Sequence, residues 1–78
     1  MQHERIVSDP KIMFGKPTIR GTRLTVELIL RELGLGADVN ELIEDYPTLT
    51  YEDIAAARIF AADYIRGKKG KTERSTDG

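Results

Sequence analysis

The sequence predicts a mainly α domain: a short N-terminal β arm followed by three helices with the lengths of a small helix-turn-helix unit. Three observations carry this. Apolar residues recur at helical spacing in three blocks between residues 26 and 65, divided by glycine or proline. A basic, glycine-punctuated arm, Gly15-Lys16-Pro17-Thr18-Ile19-Arg20-Gly21-Thr22-Arg23-Leu24-Thr25-Val26, runs into the first block. The chain has 78 residues, enough for one domain.

Residues 4 to 8, Glu-Arg-Ile-Val-Ser, read as a short strand, and Asp9-Pro10 is a turn signal. Lys11 to Phe14 reads as a second extended piece. Gly15-Lys16-Pro17 breaks it, because proline lacks a backbone donor and the residue before it avoids helix. Thr18-Ile19-Arg20 is extended, and Gly21 supplies another turn.

Thr25 is the expected N-cap of the first helix, with Val26, Ile29, Leu30 and Leu33 on one face and Gly34 as its left-handed terminator. Asp38 opens the second helix with Glu41 at capping-box spacing. Its stripe is Val39, Leu42, Ile43 and Tyr46, and Pro47 ends it. Thr50 caps the third, with Leu49 and Ile54 at the spacing of a hydrophobic staple. This helix is expected to run to about Arg66, with Gly67 as its stop. Its core-facing stripe reads as Ile54, Ala55, Ile59, Ala62 and Ile65. A second stripe, Ala57, Phe60, Ala61 and Tyr64, is left for a dimer interface, since a helix apolar on more than one side must cover both. The competing expectation is that Phe60 and Tyr64 pack under the N-terminal arm. Residues 1–66 thus form the domain. Residues 67–78 hold no large apolar residue and read as a disordered basic tail.

A core this small needs help. Cysteine is absent, which excludes disulfides and thiolate metal sites, and the single histidine, His3, lies in a terminus expected to fray. Oligomerisation is the remaining route. No apolar run approaches a membrane span and Met1 to Arg5 lacks a secretory apolar stretch, so the expected location is cytoplasmic.

The formal net charge of −1 hides a segregation. Residues 5 to 23 hold five basic side chains against Asp9 alone; residues 24 to 65 hold Arg31 and Arg58 against nine acidic ones; the tail from Arg66 is basic again. The helical body is acidic and its flanks are basic, which bears on partners more than the net charge does.

The arm offers Lys16, Arg20 and Arg23 to phosphate or carboxylate, or to the chain's own acidic body. It is no phosphate loop, since Pro17 follows Gly15-Lys16 where Walker A needs Ser or Thr after lysine, and no glycine precedes at the required spacing. The third helix stands where a recognition helix would. Its first turn, Thr50-Tyr51-Glu52-Asp53, shows carboxylates where a base reader carries Arg, Lys, Asn or Gln, with only Arg58 and Arg66 basic beyond it. Glu52 and Asp53 read instead as favourable charge at a helix start. Asp38, Glu41 and Asp45 read as a solvated face, not a metal site. No nucleophile–base pair assembles from Ser8, Ser75 and His3, so neither catalysis nor a cofactor is expected.

The order Ile-Val-Ser-Asp-Pro, then Gly-Lys-Pro-Thr-Ile-Arg-Gly-Thr-Arg-Leu-Thr-Val, a Leu-Gly-Leu-Gly hinge and Glu-Asp-Tyr-Pro-Thr-Leu-Thr-Tyr-Glu-Asp-Ile-Ala-Ala-Ala resembles the family of domain of unknown function 433. The match covers roughly residues 5 to 65. Members are described as antitoxins of bacterial and archaeal toxin–antitoxin pairs. The resemblance implies a homeodomain-like helix-turn-helix fold and a partner toxin, a PIN-like nuclease encoded next door. The expected function is therefore a non-enzymatic, homodimeric antitoxin-like protein, with operator DNA as a second candidate partner. The alternatives are a stand-alone DNA-binding regulator and a structural dimerisation module. Candidate contacts are Lys16, Arg20, Arg23, Tyr51, Arg58 and Arg66.

Overall fold

The computed structural model describes residues 3–68. The elements are β1 (Ile6–Val7), β2 (Thr18–Ile19), α1 (Val26–Gly34), α2 (Val39–Asp45) and α3 (Tyr51–Lys68), so the chain is mainly α with a short β arm, as expected. β1 and β2 pair antiparallel, Ile6 opposite Ile19 and Val7 opposite Thr18. β2 is also stitched to the approach of α1: Ile19 N–H donates to the Leu24 carbonyl and Val26 N–H to the Pro17 carbonyl, both at 2.9 Å. The arm is thereby fastened to the helices rather than left to fray.

The caps form as the local spacing demands. The Thr25 hydroxyl accepts from Leu28 N–H, and Asp38 and Glu41 close a reciprocal capping box. The Thr50 hydroxyl accepts from Asp53 N–H while the Asp53 carboxylate accepts from Thr50 N–H, each at 3.1 Å, a second box with Asp at its far corner. Leu49 and Ile54, the staple pair, are both buried. They join Ile6, Ile19, Val26, Ile29, Leu42 and Ala57 in one core. Each large member contributes about 1.5–3 kcal/mol over its exposed state.

Five expectations need correction. Lys11–Phe14 is not extended. Lys11 N–H donates to the Asp9 carboxylate and Ile12 N–H to the Asp9 carbonyl, coiling the chain into a 3-10 turn at Met13–Gly15. Met13 and Phe14 sit there at φ +49° and +57°, ahead of Gly15 at +82°. A non-glycine residue in this region costs roughly 1–2 kcal/mol. Gly34 is still helical; the left-handed terminator is Gly36 at φ +112°. Gly36 N–H reaches the Leu33 carbonyl and Ala37 N–H the Glu32 carbonyl, the paired bonds of a Schellman ending. The third helix continues through Gly67 to Lys68.

The fourth correction is the phase of α3. Ala57 is fully buried in its own subunit's core, Phe60 is half-buried against that core, and Ala55, Ile59, Ala62 and Ile65 are exposed. The stripe assigned to a dimer is largely the inner one, and the stripe assigned to the core mostly faces outward. The buried Asp53–Ile54 turn sets the phase, and positions 57, 60 and 61 follow it at helical spacing. Fifth, His3 packs edge-on against Phe60 with ring centroids 5.1 Å apart, and its Nε2 lies 3.3 Å from Asp63. That places Phe60 under the arm. The expected tail lies mostly outside the described residues.

Candidate interaction surfaces

Cross-strand pairing puts Arg5 and Arg20 side by side, since Arg20 N–H donates to the Arg5 carbonyl at 2.8 Å. Arg20 Nε donates to the Glu4 carbonyl at 2.8 Å, which holds its guanidinium along the arm. With Glu4, Ile19 and Asp53 these arginines line an open depression at the start of α3. Arg5 was not singled out by sequence reasoning, yet it makes the principal tie here: its guanidinium donates to Asp53 at 3.0 Å. Asp53 is only 6 % exposed. Its carboxylate therefore serves the helix cap and Arg5 together and is not presented to a ligand. The two residues lie 48 positions apart, and no local pattern links them. Arg23 is exposed in the following turn and makes no ion pair among the described residues.

Lys16 is engaged elsewhere. Its Nζ donates to Glu27 on α1 at 3.1 Å, and Arg31 reaches the other oxygen of the same carboxylate at 3.3 Å. The hydrogen bond and then the charge of Lys16, followed by the hydrogen bond of Arg31, hold the Glu27 carboxyl below its ordinary value. All three groups are exposed, so the cluster is a latch of small energy.

Tyr51 donates its phenolic hydrogen to Asn40, tying the start of α3 to α2. Tyr51 and Arg58, seven residues apart, share one side of α3 with the exposed Ala55, Ile59 and Ala62. Arg66 extends that side toward the helix end. The six sequence candidates thus do not converge. Arg20 and Arg23 belong to the arm, Lys16 to the α1 latch, and Tyr51, Arg58 and Arg66 to the outer side of α3.

Two apolar features complete the surface. An open groove of about 330 Å³ runs between the arm and α3, walled by Pro17, Val26, Phe60, Ala61, Tyr64 and Ile65, with Lys16 and Glu27 at its rim. Tyr64 stacks on Phe60 with centroids 6.2 Å apart, forming one wall. Two residues before Lys16 in the chain, Phe14 is 94 % exposed on the left-handed turn. Sequence reasoning passed over Phe14 because the residues around it read as a strand. No helix among the described residues is long and apolar enough to cross a membrane.

Comparison with known proteins matches this architecture. A crystal structure of a DUF433 member protein from Anabaena variabilis ATCC 29413 superposes with a TM-score of 0.68 at 31% sequence identity, covering 91% of this chain and 66% of that one. The uncharacterized protein y4eO of Sinorhizobium fredii (strain NBRC 101917 / NGR234) is 36% identical over 67 residues. That stretch is 85% of this chain and 30% of the relative, so the chain spans under a third of that protein's length. The family model described as "Protein of unknown function (DUF433)" matches residues 6–61, and the chain belongs to that family.

Proposed function

We propose that this protein is an antitoxin-like binding module that acts as a homodimer and masks a PIN-like nuclease, without making or breaking bonds itself. The observation that carries the reading is the second half of α3. Ile59, Tyr64 and Ile65 are each more than half exposed, on different sides of one helix. Apolar residues ringing a helix call for cover on more than one side. Among the described residues, the inner side is the one that is buried. The outer side, with Ala55, Ile59 and Ala62 between Tyr51 and Arg66, suits a protein partner. α2 adds the charge: Asp38, Glu41, Glu44 and Asp45 are all exposed, a field that steers a basic nuclease surface toward the helices. The toxin assignment itself rests on the family resemblance.

Co-expression with the nuclease encoded in the adjacent reading frame tests this. The expected result is co-elution at fixed stoichiometry and suppressed RNA cleavage, both lost with Ile59→Asp at a more than half-exposed site, with circular dichroism checking that the variant is folded. Undiminished cleavage in the presence of excess folded protein would refute the proposal.

The grouping of Arg5, Arg20 and Arg23 at the end of the arm favours a second reading, duplex DNA as an additional partner. Arg20→Ala with Arg23→Ala should then lower the salt slope of duplex binding by roughly 2. An unchanged slope removes DNA from this surface.

A further inference from the structure

We propose that the groove between the arm and α3 receives the Phe14 side chain of a second copy of this chain, and that each copy fills the other's groove across a two-fold axis. The inference rests on the homodimer reading and names its seam. A two-fold interface uses one patch twice, so projection and socket must lie together on one face. Here the two are adjacent: Lys16 N–H donates to the Met13 carbonyl at 3.1 Å, closing the turn that carries Phe14, and Lys16 and Pro17 line the groove.

The projection is built for display. Phe14 is held at positive φ between Met13 and Gly15, in a conformation that bulky residues rarely adopt, and it is 94 % exposed there. Backbone strain that presents an apolar ring to water is retained where the ring has a use. The socket fits in size and lining. A cavity of about 150 Å³ accommodates benzene, and this groove of about 330 Å³ is walled by aliphatic and aromatic carbon. Phe14 does not fold back into its own groove, as its exposure shows, and Pro17 stiffens the short link between them.

The area favours a second copy over a small ligand. Phe14 and Tyr64, 94 % and 57 % exposed, carry about 300 Å² of accessible aromatic surface. A standard pair buries roughly 800 Å² per subunit. Ile65, Ala61, Lys16 and Glu27 line the same groove and bring the patch toward that size. The outer side of α3, given above to the nuclease, stays open in this arrangement.

Sedimentation velocity on the full chain over about 1 to 200 µM tests the seam, with circular dichroism reporting the fold. The unmodified protein is expected to be dimeric. Phe14→Ser, on an exposed turn, should remain folded and weaken the pair by about 100-fold. Ala61→Trp, which fills the socket, should do the same from the other side. An equimolar mixture of the two variants should recover a mixed dimer, because one retains its socket and the other its phenylalanine. A monomeric wild type overturns this seam and the dimer reading together. A dimer that persists in both variants overturns the seam and leaves the dimer reading standing. Failure of the mixture to associate overturns the reciprocal exchange.

Discussion

Replacing Asp53 by alanine should cost far more than an acidic residue in the first turn of a helix ordinarily does. Two interactions end at this carboxylate. One is its half of the capping box, the bond from Thr50 N–H at 3.1 Å, whose loss strands a donor in a part-buried place and costs about 1 kcal/mol. The other is the charge-assisted bond from Arg5 at 3.0 Å. Such bonds contribute about 1.5–3 kcal/mol when enclosed. The Arg5 side chain is half in water, so the figure falls to about 1 kcal/mol. The expected total is about 2 kcal/mol. Urea unfolding followed at 222 nm reads it, at one fixed protomer concentration because association shifts apparent stability. With a slope of about 1 kcal/mol per M for so small a chain, the midpoint should fall by about 2 M. Arg5→Ala and the double variant complete a cycle whose coupling energy should be about 1 kcal/mol. A midpoint for Asp53→Ala within about 0.3 M of wild type would refute the reasoning. So would a coupling energy near zero, which would make the Arg5 bond a surface ornament.

The inward and outward sides of α3 are separable by paired substitutions: Ala57→Leu, in a site without free surface, should destabilise by about 1–3 kcal/mol, whereas Ala62→Leu, in an exposed one, should change stability by less than about 0.5 kcal/mol. Equal effects in thermal unfolding would contradict the helix phase. The two glycines ending α1 should respond with opposite signs. Gly34→Ala should stabilise by roughly 0.5–1 kcal/mol, because the site is helical and open, while Gly36→Ala should destabilise by about 1 kcal/mol, because its φ is +112°; matching signs in urea unfolding would place the terminator elsewhere. Glu27 titrates below its ordinary value because Lys16 and Arg31 favour the carboxylate. Its contribution to stability is therefore present above the unfolded value and is lost as pH falls through the folded one. Carbon-detected NMR should give a depressed midpoint that rises in Lys16→Ala; a midpoint at or above that of a free glutamate contradicts the latch.

Much of the fold was legible because its determinants are local. Thr25, the Asp38–Glu41 box, Thr50 and the Leu49–Ile54 staple each act within five residues, and spacing alone identifies them. The failures have physical causes. Ala55, Ala56 and Ala57 point in three directions on one helix, and alanine is apolar enough for any of them; the burial of Asp53, fixed by a residue 48 positions away, decides which is inside. Met13 and Phe14 adopt a conformation against their own preference, so propensity pointed the wrong way. At the surface, residue type marked the basic side chains but not their engagement. Lys16 looks free in sequence and is latched to a glutamate on the next element, whereas Phe14 looks structural and stands in water.

The first described residues lie along α3 like a splint. Arg5 braces its opening turn, and His3 braces it again at Phe60 and Asp63, two to three turns on. Peeling this segment away would unpin both places at once, so amide exchange along residues 51–63 should rise and fall with the attachment of residues 3–7. Anything that grips the N-terminal end thereby gains leverage over the long helix from behind, and anything clasping the helix tightens the splint in return.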